Sequence, residues 1–197
     1  LEGSSNNTLS VNHNRTNGGT LSSVNFPAPP QNVLFHLGVV YDGSQVIAYY
    51  NGVAQTPGAI APPLYTNRGW VFGRTDHAAF GGQGKLKGIL DEIEIHNRAL
   101  SASEIQAINN AGFAGKCKQC LTPPANMVGW WNADANPNDS SGNGNNGTLQ
   151  NGASFAIGKV GQAFSFDGVD DYVRIPISPS LQTVSNAITI DMWVKLN

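Results

Sequence analysis

Glu92, Glu94 and His96 stand at alternate positions in the run "LDEIEIH", and any chemistry in this chain could begin there. On a strand, positions i, i+2 and i+4 share a face, which would put Ile93 and Ile95 on the other. Two carboxylates about 5 to 5.5 Å apart are what retaining glycoside hydrolysis requires. Acidic side chains along a solvated strand face need no such role, and the reading adopted is a solvated face with no catalytic residues and no enzyme.

A second group is rich in oxygen. Asp134, Asn136, Asn138, Asp139, Asn143 and Asn145 crowd one loop, and Asp167, Asp170 and Asp171 follow in "FDGVDD". Calcium takes six to eight hard oxygen ligands, and such loops can supply them. The loop is not an EF-hand, because Asp139 stands where glycine is required and Asn145 where the bidentate glutamate belongs. Asx-turns would use the same residues with no ion.

Aromatic rings form the third group: Trp70, Trp130, Trp131, Trp193, Tyr49, Tyr50 and Tyr172. Neighbours on a strand point to opposite faces, so one of Trp130 and Trp131 joins the core while the other reaches an outer surface. An exposed ring can stack on a sugar, and core packing is the alternative for each ring. Trp131, Tyr50, Trp70 and Trp193 are the candidate ligand-binding residues. His13, His36 and His77 lack partners at metal spacing and are read as ordinary surface or core residues.

The two cysteines, Cys117 and Cys120, form "CKQC" in a polar, proline-flanked segment. Neither a βαβ setting for redox work nor two further zinc ligands accompany them. A local disulfide in an oxidising compartment is the expectation, with free thiols as the alternative. Charged residues are 12% of the 197 and the net charge is −2, so no basic footprint offers itself to nucleic acid or to an anionic membrane. No apolar run is long enough to span a bilayer, and Leu1 does not open a signal peptide, which suggests an excerpt of something longer; the expected disulfide favours an extracellular or cell-surface location.

The elements that must position these groups are mostly strands. Abundant Gly (23), Asn, Ser and Thr suit short strands joined by tight polar turns. Asp42-Gly43 between two β-rich runs predicts a hairpin, with Phe35, Leu37, Val39 and Tyr41 on one face and Ile47 and Tyr49 sharing a face of the return strand. Further strands are expected in Gly69 to Arg74 and Gly84 to His96, and in "QAFSFDG", "DYVRIP" and "AITIDMWVKL". In the last run Ile188, Ile190, Met192 and Val194 alternate with Thr189, Asp191, Trp193 and Lys195. Ser101 and Glu104 make a capping box that starts one short helix, with Ile105 and Ile108 on its apolar face and Gly112 to stop it.

Three stretches carry a resemblance. They are "MVGWWNAD" through "AITIDMWV" (Met127 to Val194), "LFHLGVVYDGSQVIAYYNG" (Leu34 to Gly52) and "GILDEIEIHNRALSASEIQAINNAGFAGKC" (Gly88 to Cys117). The chain resembles the laminin G-like, concanavalin A-like jelly rolls of secreted bacterial multidomain proteins, with Leu34 where the family usually has Trp. The resemblance implies an all-β jelly-roll sandwich of two antiparallel sheets. It also implies one structural calcium, with Asp139, Asn143, Asp167, Asp170 and Asp91 as its candidate ligands.

Relative to the family the order is reversed. Residues 1–116 resemble the closing half of a module, 117–126 a linker and 127–197 an opening half. A sheet with one apolar face needs a partner layer, so the halves are expected to close on each other as one permuted sandwich. Exchange between chains, as a swapped dimer, is the alternative. The expected function is a non-catalytic binding or adhesion module for a glycan or cell-surface polysaccharide. A structural spacer in a tandem array is the alternative, and a glycoside hydrolase a more remote one. Nucleic-acid binding and membrane insertion are not expected.

Overall fold

The structure is a computed structural model that describes residues 2–4, 8–14, 21–29, 31–60, 69–74, 84–111, 125–182 and 186–197. In chain order the first strands are β1 (Glu2–Ser4), β2 (Thr8–Asn14), β3 (Leu21–Pro27), β4 (Phe35–Tyr41) and β5 (Gln45–Tyr50). Then come β6 (Val53–Ala54), β7 (Gly58–Ala59), β8 (Trp70–Phe72), β9 (Lys87–His96) and helix α1 (Ala102–Ala111). The remainder is β10 (Met127–Trp131), β11 (Thr148–Gln150), β12 (Ser154–Ile157), β13 (Gln162–Asp167), β14 (Tyr172–Ile175), the short helix α2 (Pro179–Gln182) and β15 (Ile188–Leu196). The expectation of one helix misses α2, a single turn that carries no capping box.

One sheet of nine strands runs β12-β13-β9-β15-β4-β5-β6, with β10 beside β9 and β7 beside β5. Two three-stranded sheets, β1-β2-β3 and β11-β14-β8, accompany it, and all described pairings are antiparallel. Side chains from all three sheets share one core: Leu9, Val24 and Phe26 from the first small sheet, Phe72, Val173 and Ile175 from the second, and Phe35, Leu37, Ile93, Ile95, Phe164 and Val194 from the large one. This is a β-sandwich with two antiparallel small sheets facing one large sheet, where two sheets were expected.

The local signals explain the first hairpin. Asp42 Oδ1 accepts the backbone N–H groups of Ser44 and Gln45, and Gly43 takes a φ of 106° that favours glycine. The same acceptor bonds hold the Asp42 carboxyl down at about 2. Strands β4 and β5 then pair from Tyr41–Val46 to Leu37–Tyr50. The expected capping box also forms, since Ser101 N–H donates to Glu104 Oε2 (2.9 Å) and Glu104 N–H to Ser101 Oγ (3.3 Å). Helix α1 lays Ile105 and Ile108 over Val40, Tyr49 and Leu100, a second apolar cluster separate from the main core.

The centre of the large sheet combines distant parts of the chain. Strand β15 lies between β9 and β4, pairing with Gly88 to His96 on one side and Phe35 to Tyr41 on the other. The opposite edge of β9 is shared, with β13 along residues 87–90 and β10 along residues 93–96. Where β13 gives way to β10, β9 bulges. Asp191 stands opposite Glu94 and Trp193 opposite Asp91, so β9 fits one extra residue, and Glu92 takes a left-handed φ of 50°.

Candidate functional site

That bulge decides which side chains meet. Without it Leu90, Glu92, Glu94 and His96 would share a face; with it Leu90, Ile93 and Ile95 all enter the main core and Glu94 and His96 point to the other side. There they join His36 of β4 and Thr189, Asp191 and Trp193 of β15. The expected solvated face is overturned: Asp91, Glu94 and His96 are 0% exposed, Glu92 is 4%, His36 is 0% and Asp191 is 1%. Trp130 and Trp193 are buried beside them, and the Lys159 ammonium sits 4.0 Å from the centre of the Trp193 ring.

Specific partners hold part of this polar layer. Trp130 Nε1 donates to Glu92 Oε2 (2.6 Å), and Thr189 Oγ1 accepts Leu100 N–H and donates to Arg98 O, both at 2.9 Å. Asp91 Oδ2 accepts the Lys159 and Val160 amides from the turn between β12 and β13. Burial pushes the Asp91 carboxyl up to about 6 against the pull of the Val160, Lys159 and Glu92 amides, and Asp134 adds to the rise. Burial likewise lowers the Lys159 ammonium.

At the centre, His96 Nε2 is 3.2 Å from Glu94 Oε2 and 4.0 Å from Asp191 Oδ2, and His36 Nε2 is 3.7 Å from Asp191 Oδ1. Sequence reasoning missed His36 and Asp191 as members of this layer. One signal was available, because each is an ionisable residue within a strand between core-facing neighbours, Phe35 and Leu37 for one and Ile190 and Met192 for the other.

The expected aromatic platform does not assemble. Trp131 is 0% exposed in the main core, edge-on to Phe72 at 5.1 Å, with Nε1 donating to Asn145 O. Its ring lies so close to Gly129 that a Cβ there would fall 2.3 Å from it. Trp193 is buried against His36, with ring centres 5.4 Å apart. Half-buried Tyr50 donates its hydroxyl to Pro27 O (2.6 Å), and burial raises that hydroxyl to about 12. Half-buried Trp70 packs on the main core and lines a cavity of about 240 Å³ with Leu37, Phe72, Leu90, Met192 and Val194. Trp131 and Trp193 are buried and Tyr50 and Trp70 half-buried, each drawn inward by the apolar area it removes from water. Trp130 and Trp131 do point to opposite faces, but both are dry.

Nor do the five expected calcium ligands form one site. Asp139 spends both oxygens on backbone amides, Oδ1 on Trp130 and Ser141 and Oδ2 on Asn145. Asn143 Nδ2 donates to Met127 O and Ser141 Oγ, and Asp91 belongs to the buried layer. Buried Asn145 ties Val128 O to Ser178 and Ser180, which is a structural pin. Asp167 and Asp170 do come together, with Asp171: one oxygen from each lies within 4.8 Å of the others, and Asp171 Oδ1 has no hydrogen-bond partner among the described residues. Three hard oxygens with an orphaned acceptor fit part of a calcium shell. Cys117, Cys120 and His77 lie outside the described residues, as does the side chain of His13.

The family model described as the concanavalin A-like lectin/glucanases superfamily, laminin G type, matches residues 1–106 of the 197. That is more than half of the chain, and the chain belongs to this superfamily. No curated protein and no solved structure matches it. Among the described residues no helix is long and apolar enough to cross a membrane.

Proposed function

We propose that this chain is a non-catalytic carbohydrate-binding or adhesion module of an extracellular or cell-surface protein. One observation carries the reading against hydrolysis: Glu92 and Glu94, the acids a glucanase mechanism would need, are 4% and 0% exposed, out of reach of a polysaccharide. The ligand face we favour is the outer side of the β11-β14-β8 sheet. Phe72 and Val173 turn inward there, so Tyr172 and Arg174 face outward with Thr148 and Gln150 opposite them. The Arg74 guanidinium lies 3.6 Å from the Tyr172 ring centre. Hydroxyl, amide and guanidinium groups around one ring suit the hydroxyls and apolar faces of a sugar. Calcium at Asp167, Asp170 and Asp171, just before β14, would order that edge.

A glycan array with and without calcium tests this. Binding that falls at least tenfold in Tyr172→Ala and Arg174→Ala supports the reading, and binding that ignores both moves the ligand elsewhere. The burial of Trp131 and Trp193 favours a second reading, a structural spacer with no ligand, which reproducible silence on the array would support.

We also propose that residues 1–116 and 127–197 are complementary portions of one sandwich in permuted order, closed within a single chain. The position of β15 between β9 and β4 supports this. Light scattering after size exclusion should give a monomer; a dimer that survives dilution would point to exchange between chains.

A further inference from the structure

The buried layer on the outer face of the large sheet gathers six ionisable groups. Asp91 has two backbone amides from the 158–161 turn, and Glu92 has the Trp130 indole. The remaining four, His36, Glu94, His96 and Asp191, converge on one another from three adjacent strands, and none is more than 1% exposed. Neither ring nitrogen of His36, nor Nδ1 of His96, has a hydrogen-bond partner among the described residues. Of these, His36 Nε2 is the one aimed at the group, 3.7 Å from Asp191 Oδ1, and a buried nitrogen with no hydrogen-bond partner calls for something to meet it.

We propose that His36, Glu94, His96 and Asp191 form a buried binding site for one divalent first-row transition-metal ion of the zinc type. The spacing fits. Ligands at about 2.1 Å from a metal lie roughly 3.0 to 4.2 Å from each other, and three nitrogen–oxygen separations in this group are 3.2, 3.7 and 4.0 Å, the last two to different oxygens of Asp191. Single donor atoms of Glu94, His96 and Asp191 all fall within 4.8 Å of one another, and His36 reaches the group through the second oxygen of Asp191.

The donor set selects the ion. Two imidazole nitrogens with two carboxylates suit zinc, cobalt or manganese, whereas calcium and magnesium favour all-oxygen shells. Charge agrees, since imidazoles ligate a metal in their neutral form, so that two of them with two carboxylates carry −2, which a divalent cation cancels. Facing this group are Asp91, Glu92, Thr189, Trp130 and Trp193, with the Lys159 ammonium on the Trp193 ring. Four protein ligands with no open path describe a structural site, so the ion would load as the chain folds.

The test is refolding of the whole chain with ZnSO4 or CoCl2, desalting, and metal counting by mass spectrometry. One equivalent per chain is expected, and Co2+ should give the visible d–d bands of a nitrogen- and oxygen-ligated ion. His36→Gln and His96→Gln should each weaken retention at least tenfold, millimolar Ca2+ should not compete, and Cys117→Ser with Cys120→Ser should retain the full equivalent. If the histidine variants do not fold, X-ray absorption of the native zinc form decides, with two imidazoles and no sulfur expected. Failure of the native chain to retain metal, retention that survives loss of both histidines, retention that follows the cysteines, or a sulfur shell would each overturn the assignment. None of these outcomes depends on glycan binding.

Discussion

From Leu90 to His96 both faces of β9 are dry, but by opposite means. On one face Leu90, Ile93 and Ile95 enter an apolar core, where each square ångström removed from water is favourable without regard to direction. On the other, Asp91, Glu92, Glu94 and His96 are equally buried and must be satisfied group by group. The apolar face should therefore respond to lost volume, and the polar face to proton, cation and hydrogen-bond partner.

The largest effect is expected on the apolar face. Trp131→Ala removes a fully buried indole, its edge contact with Phe72 and its bond to Asn145 O. A loss of about 3 to 5 kcal/mol is expected, read as a collapse of the urea midpoint at any pH. A small loss would mean that the core closes over the gap and that volume does not govern this face.

The polar face should instead depend on pH. Asp91 titrates near 6 in the fold and near the usual 3.9 when unfolded, so the folded chain binds more protons between those values. Its contribution to stability is therefore lost as pH rises from about 4 to about 6. It changes little outside that window. Asp91→Asn should match the parent near pH 4 and exceed it by on the order of 2 kcal/mol above pH 7, which the difference between the two urea curves isolates from other titrating groups. Equal curves throughout would erase the contrast between the faces.

Thr189→Val tests the hydrogen-bond half of the contrast. The swap keeps shape but deprives the Leu100 amide of its acceptor and the Arg98 carbonyl of a donor. About 1 to 3 kcal/mol should be lost, measured by thermal unfolding. A neutral result would show that these groups find other partners.

The same contrast explains what could be read from sequence. Hairpin β4-β5 and the start of α1 were legible because Asp42-Gly43 and Ser101 with Glu104 fix structure through bonds only a few residues long. Alternation in β15 correctly separated Met192 and Val194 from Asp191 and Trp193, yet alternation reports polarity and not wetness. What dries the polar side comes from far away: Trp130 from β10, the 158–161 turn, and Arg98 and Leu100 beyond β9. The bulge at Glu92 was equally hidden, since it occurs where β13 yields to β10 on one edge, a fact of pairing with no local signature. Asn145 looked like one more loop oxygen, and only its position against Val128 and Ser178 shows a pin.

The smallest effect should fall on helix α1, which covers the apolar part of the outer face. Ser101→Ala removes the acceptor for the Glu104 amide but leaves Glu104 paired with Arg98, whose guanidinium donates to both carboxylate oxygens. That pairing, with the Ser101 amide and hydroxyl, holds the Glu104 carboxyl down at about 2. Both side chains are partly exposed, 28% for Arg98 and 37% for Glu104, so solvent screens the pair and little energy rests on it. About 1 kcal/mol should be lost with the cap, as a small drop in melting temperature that does not vary between pH 4 and 8. A pH-dependent loss would tie the helix to the ionisable layer beside it and make the outer face one electrostatic unit; a constant one leaves Ile105 and Ile108 as an apolar lid that behaves like the main core.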